Sequence, residues 1–216
     1  MVNSVRKFLL LILIAGALYW AYGRYGLNPA ILGTIQCPTT IAWYQVPTSQ
    51  VTPAPPFDSV VAMDGDKWRL EIIYRDGKMG MAVFDGQQFG GYFPSRDAGK
   101  LDPITPIRAL YAALPKAHYD GSYSLAGHPC WRFSGNLNGW TGTVWIDKQT
   151  HFPLRVYGTG TDGKILDERY VVLPIDIPGN ADRLFDTRSR AFLFRTYFPA
   201  ARNTALGSEY TNETAD

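Results

Sequence analysis

From Gly127 to Pro174 apolar and polar positions alternate in four runs, GHPCWRFSG, WTGTVWID, PLRVYGT and ILDERYVVLP, parted by short polar connections. Side chains on a strand point alternately to the two faces, so period-two alternation in β-branched and aromatic residues predicts neighbouring antiparallel strands. Thr143–Val156 is the most specific part: TVWID and PLRV are joined by the tight connection KQTHF. Upstream, SVVAM, KWRLEIIYR, KMGMAVF and QQFGGYFP are separated by Asp64-Gly65, Asp76-Gly77 and Asp85-Gly86. Such pairs supply the positive φ of tight hairpin turns, and Asp120-Gly121 and Asp162-Gly163 repeat the signal. In KWRLEIIYR, Trp68, Leu70, Ile72 and Tyr74 share one face. Lys67, Arg69, Glu71 and Arg75 take the other, with Ile73 the exception. This predicts a sheet with one apolar and one solvated face.

A helix is predicted over Leu101–Pro115, with Thr105 as N-cap, Pro106 at the first helical position and Ile107, Leu110, Tyr111 and Leu114 on one stripe. Lying between two sets of strands, it is placed to cover the apolar face of the sheet. Ile41–Val46 reads as a further strand, Asn180–Leu184 as one helical turn and Arg188–Phe198 as a last strand. The fold class is mainly β (α+β): an antiparallel sheet with a short helical lid, preceded by one N-terminal hydrophobic helix. The organisation is a targeting segment at 1–26, an irregular Pro-rich connection at 27–58, the sheet domain at 59–200 and a polar tail without order at 201–216.

In the first segment Arg6 and Lys7 precede the apolar run Phe8–Gly23, the layout of a signal sequence. Cleavage after Ala15-Gly16-Ala17 or Ala21-Tyr22-Gly23 would release the domain. Retention would leave a signal anchor, and Tyr19, Trp20, Tyr22 and Tyr25 favour it as an interfacial aromatic belt. The expected location is the cell membrane, single-pass with the domain on the periplasmic side, or the periplasm if the segment is removed.

With a net charge of +2, no nucleic-acid partner is expected. Cys37 and Cys130 are a candidate disulfide in an exported domain, where closing so long a loop would contribute about 4–5 kcal/mol in the chain-entropy model. Two buried thiols are the alternative. His118, His128 and His151 sit beside prolines or turns without ligand spacing, so neither a metal nor a catalytic role is expected. Ser122 and Ser124 lack a nucleophile elbow and a base. Asp167 and Glu168 are adjacent on a strand, face opposite ways and cannot act as a carboxylate pair.

The text of Thr143–Asp147, Pro153–Val156, Gly163 to Tyr170 and Ile177-Pro178 leading to Leu184-Phe185 resembles the outer-membrane lipoprotein carrier superfamily, the LolA-like half-barrels. WRLEIIYRDGKMGMAVFDGQQF resembles the first strands of that family, and the likeness covers roughly Ser59 to Phe185. It implies a strongly curved, incomplete barrel with helices on its concave face, a cavity for acyl chains, no catalysis and no cofactor. The implied function is a membrane-targeted, non-enzymatic binder of a lipid, acyl chain or lipoprotein. The alternative is an anchored scaffold or interaction subunit with a filled core and an envelope protein partner. The expected apolar lining is Trp68, Leu70, Ile72, Tyr74, Phe84, Phe89, Leu110, Leu114, Trp131, Phe133 and Trp145.

Overall fold

The computed structural model describes residues 33–47, 57–74, 76–92, 102–198 and 213–215. The targeting segment at 1–26, Arg75 and most of the Pro-rich run lie outside the described residues. Among the described residues no helix is long and apolar enough to cross a membrane.

Eleven strands among the described residues form one antiparallel sheet. They are β1 (Thr40–Pro47), β2 (Phe57–Asp64), β3 (Lys67–Tyr74), β4 (Met79–Phe84), β5 (Phe89–Tyr92), β6 (His118–Leu125), β7 (His128–Leu137), β8 (Trp140–Asp147), β9 (Pro153–Gly160), β10 (Ile165–Val172) and β11 (Glu213–Ala215). Their order across the sheet is β11-β6-β7-β8-β9-β10-β1-β2-β3-β4-β5. Two meanders, β2–β5 and β6–β10, are therefore joined through β1, which pairs with β10 on one side and β2 on the other. The sheet thus takes in Thr40–Pro47 as well as the strands expected from Ser59 onward. Glu213–Ala215, in the tail expected to lack order, pairs with β6 and forms one edge of the sheet.

The hairpins follow the turn chemistry. Gly65, Gly77, Gly86 and Gly163 all have positive φ. Asp120-Gly121 departs from the expectation. It lies inside β6, where the pairing with β7 slips between Tyr119 and Gly121, and marks a bulge rather than a turn. The β7–β8 turn is instead made by Asn138-Gly139, both at positive φ.

Each face of the sheet carries its own core. On the inner face the row Ala82–Leu70–Val61–Trp43–Val172 runs across five paired strands. It packs with helix α1 (Ile104–Ala113) through Ile104, Ile107 and Leu110. The outer face was expected to be solvated, and over β1–β4 it is buried. There Met81, Glu71, Val60, Tyr44 and Val171 form one cross-strand row, and Val83, Arg69, Ala62 and Ala42 the next. The chain from Leu173 to Phe198 crosses these rows, including the one-turn helix α2 (Ala181–Leu184), and buries Leu184, Phe185, Phe194 and Phe198 on them. Arg188–Phe198, expected as a strand, is irregular because its backbone bonds go to charged side chains of β3. Arg69 and Glu71 are wholly buried and paired at 2.7 Å. Glu71 accepts the Leu193 and Phe194 amides at 2.7 and 2.9 Å. Arg69 donates to the Leu184 carbonyl at 3.3 Å and to that of Ala191.

At the edge of this cover, β5 has no room for a side chain at Gly90. A Cβ there would stand 2.1 Å from the Thr187 carbonyl oxygen and 2.9 Å from its Cα. Gly90→Ala is therefore expected to push the cover outward, at an overpacking cost of about 1–3 kcal/mol. Urea unfolding reads it directly, and an unchanged midpoint would refute the close approach.

Candidate functional site

Helix α1 is fixed over the inner face by its ends and two tethers. Thr105, expected as N-cap, lies inside the helix. The cap is supplied by Asp102, whose carboxylate accepts the Ile104 and Thr105 amides at 2.9 and 3.1 Å and the Thr105 hydroxyl at 2.6 Å. Pro106 falls in the first turn, where amides have no intrahelical acceptor to lose. Arg108 donates to the Gly65 carbonyl at 2.9 Å and to Asp66 at 2.8 Å in the β2–β3 turn. Tyr111 donates its hydroxyl to the His151 carbonyl in the β8–β9 turn.

Between this helix and the sheet lie two adjoining cavities. The first, about 190 Å³, is lined by Gln45, Phe57, Ser59, Leu70, Asp102, Pro103, Pro106, Ile107, Glu168 and Tyr170. The second, about 220 Å³, is lined by Pro106, Ile107, Leu110, Leu137, Asn138, Trp140, Val156, Leu166, Glu168 and Tyr170. They share Pro106 and Ile107 from the helix and Glu168 and Tyr170 from β10, which together form a waist. Their walls are largely apolar, with a few polar groups: Gln45, Ser59 and Asp102 in the first, Asn138 in the second, and Glu168 and Tyr170 at the waist. This is the usual composition of a small-molecule site.

Glu168 is the chemical exception. Leu166, Glu168, Tyr170 and Val172 alternate onto the inner face, and Leu166, Tyr170 and Val172 belong to its apolar cluster. Burial pushes the Glu168 carboxyl above its ordinary range, hydrogen bonds from Tyr170 and Gln45 pull it partly back, and Asp167 adds to the rise. Burial likewise raises the Tyr170 phenol, helped by the adjacent Glu168 carboxylate. Burial opposes ionisation of Asp102, but its bonds from Thr105 and Ile104 outweigh that and hold it below its ordinary range. Asp167 faces outward, bound by Arg155 at 3.0 and 3.2 Å, so the two adjacent acids do face opposite ways.

Of the expected lining, Trp68, Leu70, Ile72, Leu110, Leu114 and Phe133 are buried in the inner-face cluster, with Tyr74, Phe84 and Trp131 packed against it. Only Leu70 and Leu110 reach the cavities. Trp68 packs its ring against Phe84 at 6.2 Å and edge-on to Phe89 at 5.9 Å, and Phe89 is 52% exposed. Trp145 is corrected: it lies on the outer face with Leu125, Cys130 and Leu154. There Arg132 and Arg155 stand over its ring at 5.7 and 5.5 Å. The disulfide is corrected too. Both cysteines are thiols, Cys37 against the inner-face cluster and Cys130 in the outer-face one, so the sheet lies between them.

His118 lies 3.7 Å from Asp120, and His151 packs its ring on Trp131 at 5.4 Å. Among the described residues no three His, Cys, Asp or Glu side chains gather as metal ligands would. The residues missed by the sequence reading are those of the waist. Pro106 reads in the sequence as a helix start, Glu168 as one of two adjacent acids that face opposite ways, and Tyr170 as part of an alternating strand. A lone acid on the apolar face of ILDERYVV was the available signal.

No protein-family model matches the chain, and no curated protein matches it. Among solved structures it is similar to MucB in complex with MucA(peri), with TM-score 0.37 and 14% identity over 70% of this chain and 57% of that one. It is also similar to a lipoprotein-sorting domain from Vibrio parahaemolyticus, with TM-score 0.26 and 14% identity over 60% of this chain and 67% of that one. A third is a LolA superfamily protein from Nitrosomonas europaea, with TM-score 0.28 and 12% identity over 65% of this chain and 74% of that one. The chain thus spans little more than half of the MucB structure. TM-scores this low transfer none of these proteins' activities. The solved structures to which this chain is similar do include LolA superfamily members, the family that its strand text resembles.

Proposed function

We propose that this protein is a non-enzymatic binder of a lipid or acyl chain, held between α1 and the inner face of the sheet on the extracytoplasmic side of a membrane. The observation that carries this reading is the pair of adjoining apolar cavities meeting at Pro106, Ile107, Glu168 and Tyr170. Affinity would come from apolar burial, at about 25 cal/mol per Å² removed from water. A segment of chain threaded past the waist would use both lobes, with α1 as the lid tethered by Arg108 and Tyr111.

A scaffold with a filled core is the second reading. It is favoured by the size of each cavity taken singly, below the roughly 300 Å³ at which ligand sites usually begin. The two readings part on a lipid census. Native mass spectrometry of the full chain, released from mild detergent, is expected to retain about one lipid per protein. Ile107→Trp places an indole at the waist, and is expected to abolish retention while leaving the far-ultraviolet spectrum and the cooperative unfolding transition intact. A lipid-free wild type that takes up no added acyl probe overturns the carrier reading in favour of the scaffold.

A further inference from the structure

We propose that the cleft selects a membrane amphiphile whose head group donates hydrogen bonds and carries no negative charge, and that Glu168 is the residue that sets this preference. The inference rests on the reading of the cleft as a lipid site and adds to it the chemistry of the head.

The first observation is the sign of the walls. Asp102 and Glu168 line the cavities, and no Lys, Arg or His does so among the described residues. The cation of α1, Arg108, is engaged with Gly65 and Asp66 in the β2–β3 turn. An anionic head brought to the waist would meet a carboxyl with no cation among the described lining residues to offset it, and two carboxylates sharing an apolar site cannot both stay ionised. A carboxylate, sulfonate or phosphate head is therefore disfavoured.

The second observation is where Glu168 stands. It belongs to both cavities, so an amphiphile whose chain fills either lobe and whose head reaches the waist meets this carboxyl. Glu168 receives the Tyr170 hydroxyl and a bond from the Gln45 side chain, and both donors line the first cavity with it. A carboxylate has about four acceptor sites, so two donors leave it able to take more. An ammonium, amide or hydroxyl head supplies them, and an ammonium also compensates the buried charge. The remaining polar lining, Ser59 and Asn138, adds neutral partners without changing the sign.

The test uses the full chain in vesicles of neutral phosphatidylcholine with two photoreactive probes of equal length, a twelve-carbon amine and a twelve-carbon carboxylate bearing the same diazirine. Cross-linked peptides are mapped by mass spectrometry, and yields are normalised to the probe partitioned into the vesicles. The amine is expected to label cleft peptides containing Ile107 or Val156 at least about tenfold more than the carboxylate. Glu168→Gln, close to isosteric, is expected to bring that ratio to about one. Equal labelling of the cleft by both probes in the wild type overturns the preference while leaving the lipid-site reading standing. No labelling of the cleft by either probe overturns the lipid-site reading itself. A ratio that survives Glu168→Gln removes Glu168 from the role. Because the wild-type ratio is decisive by itself, the preference remains testable even with a poorly folding variant.

Discussion

Glu71→Ala is expected to destabilise the protein by about 3–5 kcal/mol, out of the 5–15 kcal/mol typical of a whole domain. The size follows from what the carboxylate holds. One oxygen takes Arg69 Nε and the Leu193 amide, each at 2.7 Å, and the other takes the Phe194 amide at 2.9 Å. Removing it strands a wholly buried guanidinium and two main-chain donors at once, and each buried donor left unmade costs about 1–3 kcal/mol. Glu71→Gln should lose less, since it keeps one acceptor but turns an NH₂ group towards a donor. The paired change Arg69→Met with Glu71→Leu separates charge from tethering. If the ion pair alone mattered, two apolar residues would be nearly neutral. Because the pair also holds the backbone of Leu184, Ala191, Leu193 and Phe194, the double variant is expected to remain less stable than the wild type. Urea unfolding gives the free energies, and hydrogen exchange at Leu193 and Phe194 reports the tether. A loss below about 1 kcal/mol for Glu71→Ala would refute the account.

This latch also shows where sequence reading stops. The strands and most of their turns were legible because alternation and Asp-Gly or Asn-Gly pairs are local signals. The helix was legible for the same reason, though its cap is Asp102 and not Thr105. Whether a face is wet or covered is decided by residues far away in sequence. Arg69 and Glu71 look like solvent-facing charges in KWRLEIIYR, yet chain more than a hundred residues later covers them. The hints were Ile73, the apparent exception, and the unbroken apolar runs SVVAM and KMGMAVF, which suit strands buried on both faces. The site was partly legible. Sequence placed a helix over the apolar face and named Leu70 and Leu110, but it chose aromatic residues by bulk. Trp68, Phe133 and Trp131 pack the core, Trp145 is turned outward by the alternation around Val144 and Ile146, and the waist depends on β10 meeting α1 in space.

The second large effect is expected at Phe152, which the sequence offers only as the end of a turn. Asp147 folds that turn: its carboxylate accepts the Gln149 and Thr150 amides at 3.2 and 3.3 Å and the Thr150 hydroxyl at 2.7 Å, and its carbonyl accepts the His151 amide at 2.9 Å. His151 takes a positive φ of 58°, and Phe152 is delivered, wholly buried, to the inner face. Its ring lies 4.8 Å from Trp43 and 5.8 Å from Tyr170, so it bridges the central strand β1 to the waist of the cleft. Phe152→Ala is expected to cost about 3–5 kcal/mol through lost burial and the cavity left behind. Phe152→Leu keeps much of the volume and forfeits the two ring pairs, at about 0.5–1.5 kcal/mol each, so the difference between the variants measures the cavity. The turn also carries the acceptor for Tyr111, hence Phe152→Ala should speed hydrogen exchange in α1 and weaken lipid retention, whereas Gly90→Ala, on the outer cover, should leave both unchanged. Exchange in α1 that stays at the wild-type rate while stability falls would show that the lid is held independently of this turn.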